Sequence, residues 1–124
     1  MVDSTITDFA KGRTALFLGG SNFIEYPQYS IIGTGSESIG SGDVTLTTSN
    51  DRQAFTKITF PSASGIIFQT DWNASEISGI QLTEWGIIGS KTGLTGSIWT
   101  HHNIAGITFD GTNELRIVET LIVI

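Results

Sequence analysis

Short apolar runs, each closed by a turn, recur along the chain and limit the folds open to it more than any other feature. Fifteen glycines stand against two prolines, and the apolar runs are rich in Ile, Val and Thr. Glycine and β-branched residues are poor in helix interiors, whereas β-branched residues pack well in strands. No window shows sustained helical spacing of apolar residues, so the sequence predicts an all-β protein.

The runs number about eight, which is usual for two packed antiparallel sheets. The sequence therefore predicts an antiparallel β-sandwich, jelly-roll-like, of about eight short strands. A chain of 124 residues suits one core, and we expect residues 14–124 to form this single domain. Residues 1–13 are polar and are predicted as an N-terminal arm or a first strand. Thr14 to Leu18 is the next predicted strand.

The stretch from Ile77 to His102 is predicted to be the central hairpin of the fold. Two strand-like runs flank a Gly-rich linker, and the first run carries Glu84 among apolar neighbours. A carboxylate in an apolar strand needs a partner when it is buried. We therefore predict a hydrogen-bonded or paired Glu84, with Arg52 or Arg116 as the leading partner because both lie in strand-like runs.

Two further turns are predicted on either side of this hairpin. An antiparallel hairpin is predicted from the runs Arg52 to Phe60 and Ile66 to Trp72. A second hairpin turn is predicted at Asp110 to Asn113.

The final strand is apolar on both faces, so its second face needs a cover. Either a partner subunit or the N-terminal arm could supply that cover, and the sequence leaves both open. The candidate interface residues are Leu121, Ile122, Val123 and Ile124.

The charge of the chain excludes several classes of partner. The net charge is −6, and no cluster of Lys or Arg is present, so we expect neither a nucleic acid nor an anionic membrane as partner. Charged residues are only 15%, below the ~25% of ordinary soluble domains. Such a surface is typical of subunit contacts, and a Ser/Thr-rich surface is the alternative explanation. Cysteine is absent, which excludes disulfides and thiol chemistry.

No catalytic pattern stands out from the sequence. Glu84 with Asp71 or Glu76 could form a carboxylate pair for glycoside hydrolysis, but nothing in the sequence brings them together. His101 and His102 are adjacent, so on a strand they point to opposite faces and cannot easily share a metal ion. We expect them at a strand end or a loop tip. The sequence predicts no enzyme activity, no metal and no cofactor.

Three tryptophans are candidate aromatic anchors. Trp72, Trp85 and Trp99 could form a platform for a sugar, but large aromatic residues more often anchor cores and interfaces. A carbohydrate- or host-surface-binding sandwich is therefore the alternative function.

Several segments occur in a recognisable order. They are Tyr29 to Ser36, Asp43 to Leu46, Arg52, the run to Phe68, Ile80 to Ile88 with Leu82, Glu84 and Gly86, and Asn113 to Ile117. This order resembles tailed-bacteriophage structural proteins, namely small virion proteins and the attachment domains of tail-collar fibres. The resemblance covers residues 29–124. It implies a β-rich, non-enzymatic domain in the virion that forms homo-oligomers and docks on other virion proteins. Collar fibres continue into a long trimeric shaft, so we expect a stand-alone building block here.

Overall fold

The computed structural model describes residues 3–18, 27–35, 38–43, 45–89 and 97–122. Its strands form two antiparallel sheets, which confirms the predicted all-β sandwich. The elements are β1 (Asp3–Ile6), α1 (Asp8–Leu18), β2 (Tyr29–Gly33), β3 (Ser49–Ala54), β4 (Lys57–Ser62), β5 (Gly65–Trp72), a 3-10 turn (Ala74–Glu76), β6 (Gln81–Ile88), β7 (Ile98–Thr108) and β8 (Leu115–Ile122).

The larger sheet has five strands in the order β1-β7-β6-β2-β3, and the smaller has three in the order β4-β5-β8. β6 and β7 pair antiparallel at the centre of the larger sheet, with Gly86 opposite His101. The predicted central hairpin is therefore present as this pair. It is the most extensive contact between two elements, and it carries the site described below.

The helix α1 is the main departure from the sequence-based expectation. The strand predicted at Thr14 to Leu18 is wrong, because these residues belong to α1. The Thr7 hydroxyl accepts the Ala10 N–H at 3.2 Å, which is the hydrogen bond of a helix N-cap. Gly12 lies inside the helix and weakens its sequence signal, since Gly costs about 1 kcal/mol relative to Ala there.

The chain crosses between the sheets at two places where the sequence predicts continuous strands or hairpins. The run from Arg52 to Phe60 breaks between β3 and β4, which lie in different sheets, so only β4 and β5 form the predicted hairpin. The turn at Asp110 to Asn113 joins β7 to β8 across the sandwich, and its prediction as a hairpin turn is wrong. Gly111 has φ of 92° there, a conformation that favours glycine.

Two apolar clusters lie on opposite faces of the larger sheet. The first fills the space between the sheets and includes Ile32, Trp72, Ile77, Leu82, Phe109 and Ile117. The second consists of Ile31, Leu46, Ile88 and Ile98. Ile31 and Ile32 are adjacent on β2 and so point to opposite faces. The second cluster therefore lies on the outer face of the larger sheet, where Leu46 from the connection between β2 and β3 packs against it.

The final strand β8 has one buried face and one uncovered face. Ile117 is buried, whereas Val118 and Ile122 are 52% and 63% exposed. The N-terminal strand β1 pairs with β7 in the other sheet, so it does not cover them. Val123 and Ile124 of the predicted interface lie outside the described residues.

Candidate functional site

Adjacent histidines in β7 organise two polar clusters on opposite faces of the larger sheet. They lie within the strand, so the expected strand end or loop tip is wrong. His102 contacts Glu119 of β8 and therefore faces the other sheet. His101 points to the outer face, towards Glu84 of β6.

The Glu84 carboxylate is fully buried and accepts four hydrogen bonds. The backbone N–H groups of Gly35, Thr47 and Thr48 donate to it over 2.7, 2.8 and 2.8 Å. The fourth partner is His101, with 2.8 Å between Nε2 and Oε1. Both carboxylate oxygens thus accept hydrogen bonds from the protein itself. The carboxylate thereby locks Gly35, Thr47 and Thr48, which lie between β2 and β3, onto β6.

His101 lies between two carboxylates. Its Nδ1 is 2.8 Å from Oδ2 of Asp43, which also accepts the Gly40 N–H at 2.9 Å. Each ring nitrogen thus faces a carboxylate oxygen, so His101 links Asp43 to Glu84.

Two glycines permit the close approach of backbone to this carboxylate, and a third permits the close approach of β6 to β7. A Cβ at Gly35 would overlap Oε2 of Glu84, and one at Gly33 would lie 2.9 Å from its Cγ. A Cβ at Gly86 would overlap the carbonyl oxygen of Thr100 in β7. Any side chain at these positions would displace either Glu84 or the neighbouring strand.

Neither predicted arginine is a partner of Glu84. Arg116 donates from Nε to Asp71 at 2.7 Å on the smaller sheet, and Arg52 lies over the Tyr29 ring at 3.9 Å. The carboxylate pair considered with Asp71 or Glu76 is also wrong, because Glu84 is enclosed on the opposite face of the larger sheet. The backbone donors have no side-chain signature, so sequence reasoning missed them.

The second cluster ties the two sheets together. His102 Nε2 is 2.5 Å from Oε1 of Glu119, and its Nδ1 is 2.6 Å from the Ser4 hydroxyl. Thr100 donates to the other Glu119 oxygen at 3.2 Å, and the Trp85 ring stacks on His102 at 4.0 Å. A hydroxyl, an imidazole and a carboxylate in this order could pass a proton from Ser4. Because they link β1, β7 and β8, we interpret them as a structural clamp.

The three candidate aromatic anchors pack against groups of the protein itself. Trp72 is buried and donates from Nε1 to Asp51 at 3.0 Å. Trp85 stacks on His102, and Trp99 meets the Phe9 ring edge-on at 6.2 Å. They do not form one exposed platform, so we do not put forward glycan binding through them.

Within the described ranges, no three His, Asp or Glu side chains are grouped to hold a metal ion. No helix in that part of the chain has the length and apolarity needed to cross a membrane.

The pKa of Glu84 reflects two opposing effects. Burial raises it, but hydrogen bonds from Thr48, Thr47, His101 and Gly35 outweigh burial and lower the pKa below its ordinary value of 4.5. A carboxyl whose pKa is lower in the folded state stabilises the fold above its unfolded pKa. That stability is lost as pH falls through the folded pKa.

We expect the acid stability of the protein to depend on Glu84. The difference in unfolding free energy between the wild type and Glu84→Gln should shrink as the pH falls below 4.5. Urea unfolding followed by tryptophan fluorescence across this range measures it. Asp71 and Asp110 also have lowered pKa values, but both residues are present in the two proteins, so their contributions to the difference cancel. A difference that does not change with pH would contradict this assignment.

Comparison with protein-family models, curated proteins and solved structures gives no match. The function must therefore be argued from the residues themselves.

Proposed function

We propose that this protein is a non-enzymatic structural component of a tailed-virus particle, acting through oligomeric assembly and docking on other virion proteins. One observation carries the proposal. Gly33 and Gly35 meet the Glu84 carboxylate, and these glycines and Glu84 belong to two separate segments of the resemblance. They lie 49 residues apart in sequence at the Gly35–Glu84 hydrogen bond.

The contacts between these two segments give a physical reason for the residues that carry the resemblance. The glycines at 33 and 35 leave room for the carboxylate, the N–H of Gly35 donates to it, and Gly86 permits close strand packing behind it. A fold that depends on this lock requires these residue types in this order. The order is the feature shared with the virion proteins, so the lock supports the kinship.

The surface supports assembly as the mode of action. The histidine and glutamate side chains of the two polar clusters hydrogen-bond within the protein. Several large apolar side chains, in contrast, are exposed. Exposed apolar patches on soluble proteins mark contact sites. The exposed large apolar residues are Ile6, Ile58, Phe60, Ile107, Val118 and Ile122.

We expect the purified protein to sediment as an oligomer. Ile122→Lys places a charge in the exposed apolar surface of β8 and should shift the mass towards the monomer, because burying an unpaired charge is costly. Sedimentation velocity and native mass spectrometry measure the mass. Asn113→Lys makes the same change of charge at an exposed turn and should leave the mass unchanged.

The same proposal places the protein in particles. Mass spectrometry of purified virus particles from the source of the gene should detect it in stoichiometric amount. A strictly monomeric protein that is absent from particles would exclude the proposed role.

A further inference from the structure

The two sheets differ in width, and among the described strands one strand of the larger sheet has no counterpart above it in the smaller sheet. Glu119 of β8 contacts His102 and Thr100, so β8 lies over β7. β1 lies beyond β7 at the edge of the five-stranded sheet. Ile6 of β1 shares the inward face with Thr100 in the register of the sheet, yet it is 46% exposed. None of the described strands of the smaller sheet thus lies at the position over β1.

An apolar cleft occupies that position. It has a volume of about 410 Å³, and it lies between α1 and β8 with β1 and β7 as its floor. A second cleft of about 220 Å³ continues it along β1 and β8 past the Ser4–His102–Glu119 clamp. We call the two together the strand groove. Its lining includes Ile6, Ala10, Ala15, Trp99, Leu121 and Ile122.

The edge of β8 that borders the groove has fewer of the features that normally prevent strand pairing than the other edges have. Such features include short length, Pro, Lys, inward-pointing charges and register shifts, and β8 has one of them, the inward-pointing Glu119. β1 is only four residues long, the β4 edge has Lys57, Pro61 and a register shift, and β3 meets a register shift at its partner β2. β8 has eight residues paired to β5 in continuous register, with neither Pro nor Lys. Of the four sheet edges in the described ranges, β8 is thus the least protected.

We propose that the strand groove accepts an extended segment of another virion protein, which adds as a fourth strand beside β8. This inference rests on the proposed function. An added strand would satisfy the backbone groups at the β8 edge, and its alternate side chains would enter the groove. The segment therefore carries apolar residues at every second position, because the larger of the two clefts is lined mainly by apolar groups.

A folded second copy does not fit this position. A copy that offered its own β8 edge would bring its β7 and β1 with it, since these strands lie beneath and beside β8. Those strands would occupy the space of β1 in the first copy. A single extended segment has no such layer, so the groove can accept an extended segment but not a folded copy.

The test uses two synthetic eight-residue peptides, matched in length to β8. One alternates Val or Ile with Thr and has Lys at both ends, and the other has the same composition with its apolar residues in one block. Binding to the full chain is followed by amide chemical shifts in two-dimensional NMR, up to about 1 mM peptide. The alternating peptide should cause saturable shifts in β8 and α1, with a Kd of about 1 mM or tighter.

A pair of variants controls the site of binding. Ala15→Trp fills the groove from α1 and should abolish the shifts, whereas Ala63→Trp adds the same side chain at an exposed turn and should leave them unchanged. Absence of shifts, equal shifts with the block peptide, or binding that survives Ala15→Trp would overturn the proposal. Shifts at Ala10 and Ala15 of α1 that depend on protein concentration without peptide would show a second copy in the groove and overturn it as well.

The failure of this inference is distinguishable from failure of the proposed function. If the protein is present in particles but the alternating peptide does not bind, the groove is not a strand acceptor and the virion role stands. If the peptide binds but the protein is absent from particles, the groove remains a strand acceptor and the virion role is lost.

Discussion

Glu84→Gln should destabilise the protein by about 3–5 kcal/mol, the usual cost of removing one partner from a buried ion pair. The melting temperature should fall by roughly 10–20 °C, given a few degrees per kcal/mol for a domain of this size. The amide nitrogen must replace one carboxylate oxygen, and each oxygen accepts at least one backbone N–H. In either orientation of the side-chain amide, its NH2 group faces a backbone N–H, so two buried donors point at each other.

Differential scanning calorimetry measures this effect. Glu114→Gln is the matched control, because it removes the same charge at an exposed position and should change the melting temperature very little. An unchanged melting temperature for Glu84→Gln would mean that Glu84 is in solvent and that the lock does not exist.

Gly35→Ala should be as damaging, even though it adds only one methyl group. Its Cβ would overlap both Oε2 of Glu84 and Cβ of Thr47. Overpacking typically costs about 1–3 kcal/mol, and displacement of the carboxylate adds the loss of its hydrogen bonds. We therefore expect a loss of about 3 kcal/mol or more, measured by urea unfolding.

Gly42→Ala is the control for this substitution. Gly42 lies in the same connection between β2 and β3, and a Cβ there meets no atom within 4 Å. It should be neutral or stabilising by up to about 1 kcal/mol, because alanine restricts the unfolded chain. Equal destabilisation by the two variants would assign the effect to backbone flexibility and not to the carboxylate. In the double variant Gly35→Ala with Glu84→Gln the losses should be less than additive, because both act on one contact.

The two histidines show why part of the site was accessible from the sequence and part was not. Their adjacency on a strand was enough to separate them onto opposite faces, because side chains alternate along any strand. Their partners could not be read in the same way. Asp43 and Glu119 lie 58 and 17 residues from the histidines they contact, and only the folded chain brings them together.

The sequence by itself determined the all-β character, the central pairing of β6 with β7 and the need to satisfy Glu84. These follow from local properties, namely β-branched residues, turn glycines and the cost of a buried charge. The tertiary structure alone decided that backbone amides and His101 satisfy Glu84, that β3 and β4 lie in different sheets and that none of the described strands lies above β1. Backbone donors are identical at every residue but proline, so which of them reach a carboxylate depends on how distant segments pack.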